Sequence, residues 1–252
     1  MAEHRITLDE ALEHTRTGDM WVFRGRTVAD RAIQLTTNSP VNHVGMCLAL
    51  DDLPPLMWHA ELGRALPDLW SGGHRRGVQL HDLRAAVLQW AHRYGQRAWL
   101  RQLDRPVTVE MEDAVLRTVA RLDGTPFPST ARLFGRWLAG RVPAWQESRR
   151  LIASLHSNDG ADRDDDGAGA PAREATPGRP AVESAYCAEV VAITYQAMGL
   201  LPAGRRPNWY DPGRFWSGDD LELEGGFRLG TEIAVDLGQA GQSQAGNQAG
   251  NQ

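Results

Sequence analysis

The chain has 252 residues, 42% of them hydrophobic, and a formal net charge of −5, which suits one large domain or two small ones with real cores. Its basic side chains are all arginine and lie scattered among acids, so no basic stripe follows a phosphate backbone and nucleic acid is not expected as a partner. Two cysteines, Cys47 and Cys187, rule out a disulfide scaffold and leave any zinc site to be filled by histidines or carboxylates.

At the N-terminus, MAEHRITLDEALEHTRTGDM is charged and lacks the apolar core of a leader, and no apolar run reaches the ~20 residues that span a bilayer. A cytoplasmic chain without a transmembrane segment is expected. Thr7 is placed to cap a short helix over residues 7–16 through Leu8, Ala11 and Leu12. DMWVFRG then reads as a strand, VADRAIQLT as a helix, and SPVNHVGMCLAL as a loop feeding a strand whose apolar residues run almost unbroken. DDLPP turns the chain into a third strand, LMWHAEL. GVQLHDLRAAV and QRAWLRQL read as short extended segments around a helical turn, with helix as the alternative for the first. VTVEMEDAVLRTVARLDG is a helix capped by a threonine and stopped at Gly124, and FPSTARLFGRWLAGRVPAWQESRRLIASL reads as one or two more.

Over residues 157–180 the chain turns acidic and rich in glycine and proline, so it cannot bury a core and reads as a flexible insertion. The aspartates of DRDDDG alternate as calcium ligands do, but no distal glutamate falls at the closing position of such a loop, so they read as a solvated charge run. Order returns with SAYCAEVVAITYQAMGL, a tryptophan- and proline-rich loop, NWYDPGRFWSG, and a strand near 226–235. A low-complexity tail follows.

Cys187 stands where that helix reads as beginning. Peptide dipoles and unpaired amides at a helix start lower a thiol's pKa and can hold an oxyanion. Cys187, Val191, Thr194 and Met198 share one stripe, so the sulfur faces the protein body, a setting that suits a nucleophile and an inert core residue equally. A thiolate nucleophile wants an imidazole, and the imidazole wants a third polar group. His43 opens one strand and His59 lies in the next, so pairing of the two strands brings the rings together on one face. Glu61 shares the face of His59, while Trp58 and Ala60 take the other. His43 then acts as base, with His59 or Glu61 orienting it. Cys47, four residues after His43 in the same strand, reads as core. His74, His81, His92 and His156 read as surface residues.

GDMWVFRG, NHVGMCL, MWHAELG and YCAEVVAITYQAMGL, in this order, resemble the circularly permuted NlpC-type papain-like cysteine hydrolases, the YiiX-like group, over about residues 18–200. The resemblance implies an α+β papain-like fold, with a small antiparallel sheet packed on the helix that carries the cysteine. It places the nucleophile on Cys187, the base on His43, the third polar residue on His59 with Glu61 as competitor, and an oxyanion contribution on Tyr186. It also implies cleavage of an amide, in a peptide, a muropeptide or a fatty-acyl amide, through a thioester; the alternatives are acyl transfer to another acceptor and a non-catalytic ligand-binding module. One domain over 1–235 with a disordered tail over 236–252 is expected, acting on a small peptide or acyl-amide substrate, with no cofactor and no metal ion.

Overall fold

The computed structural model describes residues 5–25, 40–61, 63–126, 179–216 and 221–238, with backbone alone at 179–185. The helices expected at VADRAIQLT and within FPSTARLFGRWLAGRVPAWQESRRLIASL, most of the insertion, His156 and the tail beyond 238 lie outside the described residues.

The fold is α+β. A short strand β1 (Arg5–Thr7) runs into α1 (Leu8–His14), whose start is a capping box: the Thr7 hydroxyl accepts from the Glu10 amide and the Glu10 carboxylate accepts from the Thr7 amide. Next come β2 (Met20–Arg24), β3 (His43–Leu48), β4 (Leu56–Glu61) and β5 (Gly77–Asp82). Asp82 ends β5 and caps α2 (Leu83–Tyr94) by accepting from the Ala85 amide at 2.7 Å, and Gly95, at φ 62, closes α2 in the left-handed conformation. Strand β6 (Arg97–Arg101), helix α3 (Val109–Leu122) capped by Thr108, helix α4 (Arg179–Ala197) and strand β7 (Ile233–Asp236) complete the order.

These strands form one seven-stranded sheet in the order β1-β7-β6-β2-β3-β4-β5, antiparallel except where β1 meets β7. It is larger than the small antiparallel sheet expected, and mixed. The edge strand β5 is covered where the turn after α3 bonds Val78 through Gly124 and Thr125.

Strand alternation divides the core into two layers. Val44, Met46, Leu48, Trp58 and Ala60 face α3 and α4, with the Trp58 indole donating to Thr194 Oγ1 of α4 at 3.0 Å. Trp21, Phe23, Cys47 and Met57 face α1 and α2, against Leu8, Ala11, Val87 and Trp90. Each large apolar side chain taken from water in this way stabilises the fold by roughly 1.5–3 kcal/mol. Gly45 belongs to the second face, and a Cβ there would run into Met57 Sδ, so the strand opened by His43 needs its glycine for close packing against β4.

Candidate functional site

The β3 and β4 strands pair as the spacing of His43 and His59 implies, and both rings lie on the face turned toward α2. His43 Nε2 lies 2.9 Å from His59 Nδ1. The contact does not stop there. In the β4–β5 register His59 stands opposite Gln79 and Met57 opposite His81, so His81 is a diagonal neighbour of His59 on the same face. His59 Nε2 lies 2.9 Å from His81 Nδ1, and His81 Nε2 lies 3.2 Å from Gln79 Oε1.

Glu61 joins from the end of β4, with Oε2 3.9 Å from His59 Nε2 and 3.7 Å from His81 Nδ1. Its other oxygen, Oε1, accepts from the Tyr94 hydroxyl at 3.2 Å. Trp90, one turn before Tyr94 on α2, stacks on the His43 ring at 3.8 Å between centroids and 12° between planes. Helical i, i+4 spacing therefore brings a stacking wall and a hydroxyl to the histidine row from a single helix.

The whole cluster is buried: His43 and His59 are 0% exposed, His81 1% and Glu61 2%. Burial penalises charge, and it acts in opposite directions on imidazole and carboxyl. It pushes His43 down to about 3 and His59 well below the usual imidazole range; for both, charge on His81 works in the same direction. It lowers His81 to about 4 against an opposing pull from Asp68. It raises Glu61 to about 7 although Tyr94 and Arg93 favour its anion. Among the described residues, His43 Nδ1 and Glu61 Oε2 have no hydrogen-bond partner, and neither has the Trp90 indole nitrogen beside them. Leaving such an atom unpaired costs about 1–3 kcal/mol.

Cys187 is elsewhere. It is buried in the layer that joins α3 and α4 to Val44, Met46 and Trp58, with the sheet between it and the histidines. It also lies two turns inside α4, which begins at Arg179, so its neighbouring amides belong to the helix ladder and are not free to hold an oxyanion. Both points correct the expectation of a cysteine at a helix start beside His43. Tyr186 is buried in the same layer as Cys187. Cys47 lies on the histidine face, as a core residue, and burial raises its thiol to about 12.

His81 is a second correction, because it is a buried member of the row and not a surface residue. Its signal was available in GVQLHD, where Gln79 and His81 alternate with Val78 and Leu80 as a half-polar strand does. Trp90 and Tyr94 join the row from α2, although nothing in LQWAHRYG marks them as more than a helix face.

His59 Nε2, His81 Nδ1 and Glu61 Oε2 lie within 4.8 Å of one another and form a three-donor set. Bonds of about 2.0–2.2 Å from one ion to nitrogen and oxygen donors, arranged tetrahedrally, put those donors roughly 3.3–3.5 Å apart. The observed separations of 2.9, 3.7 and 3.9 Å bracket that range. The residues also fit in their outer contacts, since His43 holds the other nitrogen of His59, Gln79 that of His81, and Tyr94 the other oxygen of Glu61.

No family model and no curated protein matches the chain. A crystal structure of the metalloprotein yiiX from Escherichia coli O157:H7 aligns with it at a TM-score of 0.34 and 24% identity, covering 46% of this chain and 54% of that one. The chain thus spans about half the length of that protein.

Proposed function

We propose that the chain is a metal-dependent hydrolase whose ion, of the zinc class, is held by His59 Nε2, Glu61 Oε2 and His81 Nδ1. The observation that carries this reading is the convergence of three buried donor atoms, each on a group whose remaining polar atom is already held from outside. Among the described residues, the carboxylate oxygen turned toward the two ring nitrogens has no hydrogen-bond partner. Two imidazoles and one carboxylate suit first-row transition ions, whereas Ca2+ and Mg2+ favour oxygen throughout.

An ion of this class lowers the pKa of bound water toward 7 and polarises a carbonyl. The chain's own residues do the rest. His43 and Gln79 fix the rings of His59 and His81, Tyr94 fixes the Glu61 carboxyl, and Trp90 closes over His43 and excludes water from its face. The motif resemblance supplies the substrate class, an amide in a small peptide, a muropeptide or a fatty-acyl chain. The test is equilibrium dialysis of the chelator-stripped full chain against Zn2+, followed by assay on chromogenic amides. One equivalent bound, with chelator-reversible turnover lost in His81→Ala, supports the reading. Binding without turnover rejects the hydrolase, and no binding rejects the centre.

A second reading is a thiol hydrolase or acyltransferase with Cys187 as nucleophile, His43 as base, His59 or Glu61 as orienting group and Tyr186 at the oxyanion site. The 2.9 Å approach of His43 to His59 favours it, but it requires Cys187 on the face opposite to the one the thiol occupies. Alkylation of Cys187 in a Cys47→Ala background, with and without His43→Ala, tests it directly.

A further inference from the structure

The three histidines form a row with a direction, and Gln79 decides which. The Gln79 side chain is fully buried, and its amide nitrogen lies 3.5 Å from the Gly77 carbonyl oxygen. Turning that amide over would set two acceptor oxygens against each other, so Oε1 is the atom that faces His81 Nε2 at 3.2 Å. An amide oxygen only accepts, and His81 therefore carries its proton on Nε2 and leaves Nδ1 bare.

The assignment then propagates. His81 Nδ1 accepts, so His59 Nε2 carries a proton; His59 Nδ1 accepts in turn, so His43 Nε2 carries one. All three rings are neutral Nε2–H tautomers, and the row ends on the bare lone pair of His43 Nδ1. Among the described residues, that atom has no hydrogen-bond partner. An unpartnered acceptor there is consistent with the row, whose direction leaves no proton for that end.

We propose that Gln79 sets the direction of this three-histidine row, and that loading of the centre reverses its first two members, turning His43 Nδ1 from an acceptor into a donor. The proposal rests on the metal reading above. Coordination through His59 Nε2 requires the proton on that atom to leave. For His59 to stay neutral, its Nδ1 takes the Nε2 proton of His43, and His43 regains one proton on Nδ1. One proton departs from His59 Nε2 and one arrives at His43 Nδ1, so the net charge of the row is unchanged, with solvent as the exchange partner. His81 already offers a bare Nδ1 and keeps its proton toward Gln79.

Long-range 15N–1H spectra of the full chain labelled at histidine nitrogen read the tautomers directly. For the chelator-stripped protein, the expected result is a bare Nδ1 and a protonated Nε2 on His43. That signature gives way to a tautomer mixture in Gln79→Leu, which removes the acceptor, and returns in Gln79→Glu, which restores one. Adding one equivalent of Zn2+ is expected to move the protonated position to Nδ1 on both His43 and His59. Protonated Nδ1 on His43 in the stripped protein would overturn the proposal, as would Gln79→Leu leaving the wild-type signature intact. Zn2+ bound with His43 still protonated at Nε2 overturns the reversal and leaves the metal centre standing. Absence of bound Zn2+ in parallel dialysis overturns the metal reading and the reversal with it.

Discussion

His59 Nε2 and His81 Nδ1 face each other at 2.9 Å across β4 and β5, with Glu61 Oε2 turned toward both. Two neutral rings sharing one proton satisfy each other, but the carboxylate oxygen beside them is satisfied by neither. An ion at that point would satisfy all three atoms at once.

Ligand and outer-contact substitutions should therefore separate by size. Glu61→Gln and His81→Ala remove a donor and are expected to weaken Zn2+ binding by at least about 100-fold, whereas Tyr94→Phe only releases the other Glu61 oxygen and should cost about 10-fold. Competition titration against a chromophoric chelator measures all three. Equal effects from Tyr94→Phe and His81→Ala would place the ion elsewhere.

The metal-free protein should lose stability steeply in acid. His43 near 3 and His81 near 4 lie below the ~6.5 of an unfolded imidazole, as does His59. As pH falls below about 6.5 the unfolded chain takes up protons that the native cluster refuses, so the contribution is fully present above that value and is lost on the way down to about 3. Each proton of difference is worth about 1.4 kcal/mol per pH unit. Glu61 acts the other way: raised to about 7, it favours the native state below the unfolded carboxyl value and loses that contribution as pH rises through about 7. Urea midpoints across pH should thus show a steep acid limb that is shallower in His81→Gln.

Both thiols should be protected in the native chain. Cys47 and Cys187 are buried, and Cys47 titrates near 12. Iodoacetamide at pH 8 is expected to label neither until urea unfolds the protein, and His43→Ala should leave the native rate at Cys187 unchanged. Fast labelling of Cys187 that depends on His43 would instead support the thiol reading.

Gly77 begins the strand that carries Gln79 and His81. It sits at φ 118, and a Cβ there would meet the Thr125 carbonyl oxygen. Gly77→Ala should cost about 1–3 kcal/mol in urea unfolding through backbone strain and the displaced turn. It should also weaken Zn2+ binding, because β5 shifts relative to β4. An unchanged midpoint would mean that the turn after α3 is not holding the sheet edge.

The parts of the fold written in local chemistry were legible. Thr7 caps α1, Thr108 and Gly124 bound α3, and the alternation in LMWHAEL puts His59 and Glu61 on one face and Trp58 on the other. The meeting of His43 with His59 also followed, because adjacent strands joined by a short turn pair with each other. What sequence could not supply was the side of the sheet on which each helix settles. The stripe from Cys187 to Met198 points into the protein whichever face α4 covers, and only Trp58 bonding Thr194 shows that it covers the face without histidines. The place of His81 in the row is hidden for a related reason, since its neighbour is set by the β4–β5 register across a long connection.

The most direct test of the centre is the visible spectrum of the chelator-stripped full chain titrated with Co2+. A centre of His59, Glu61 and His81 predicts saturation at one equivalent, with the intense ligand-field bands of a four- or five-coordinate ion, abolished in His81→Ala and in Glu61→Gln. Bands of undiminished intensity in both variants, or no saturable binding at all, would contradict it.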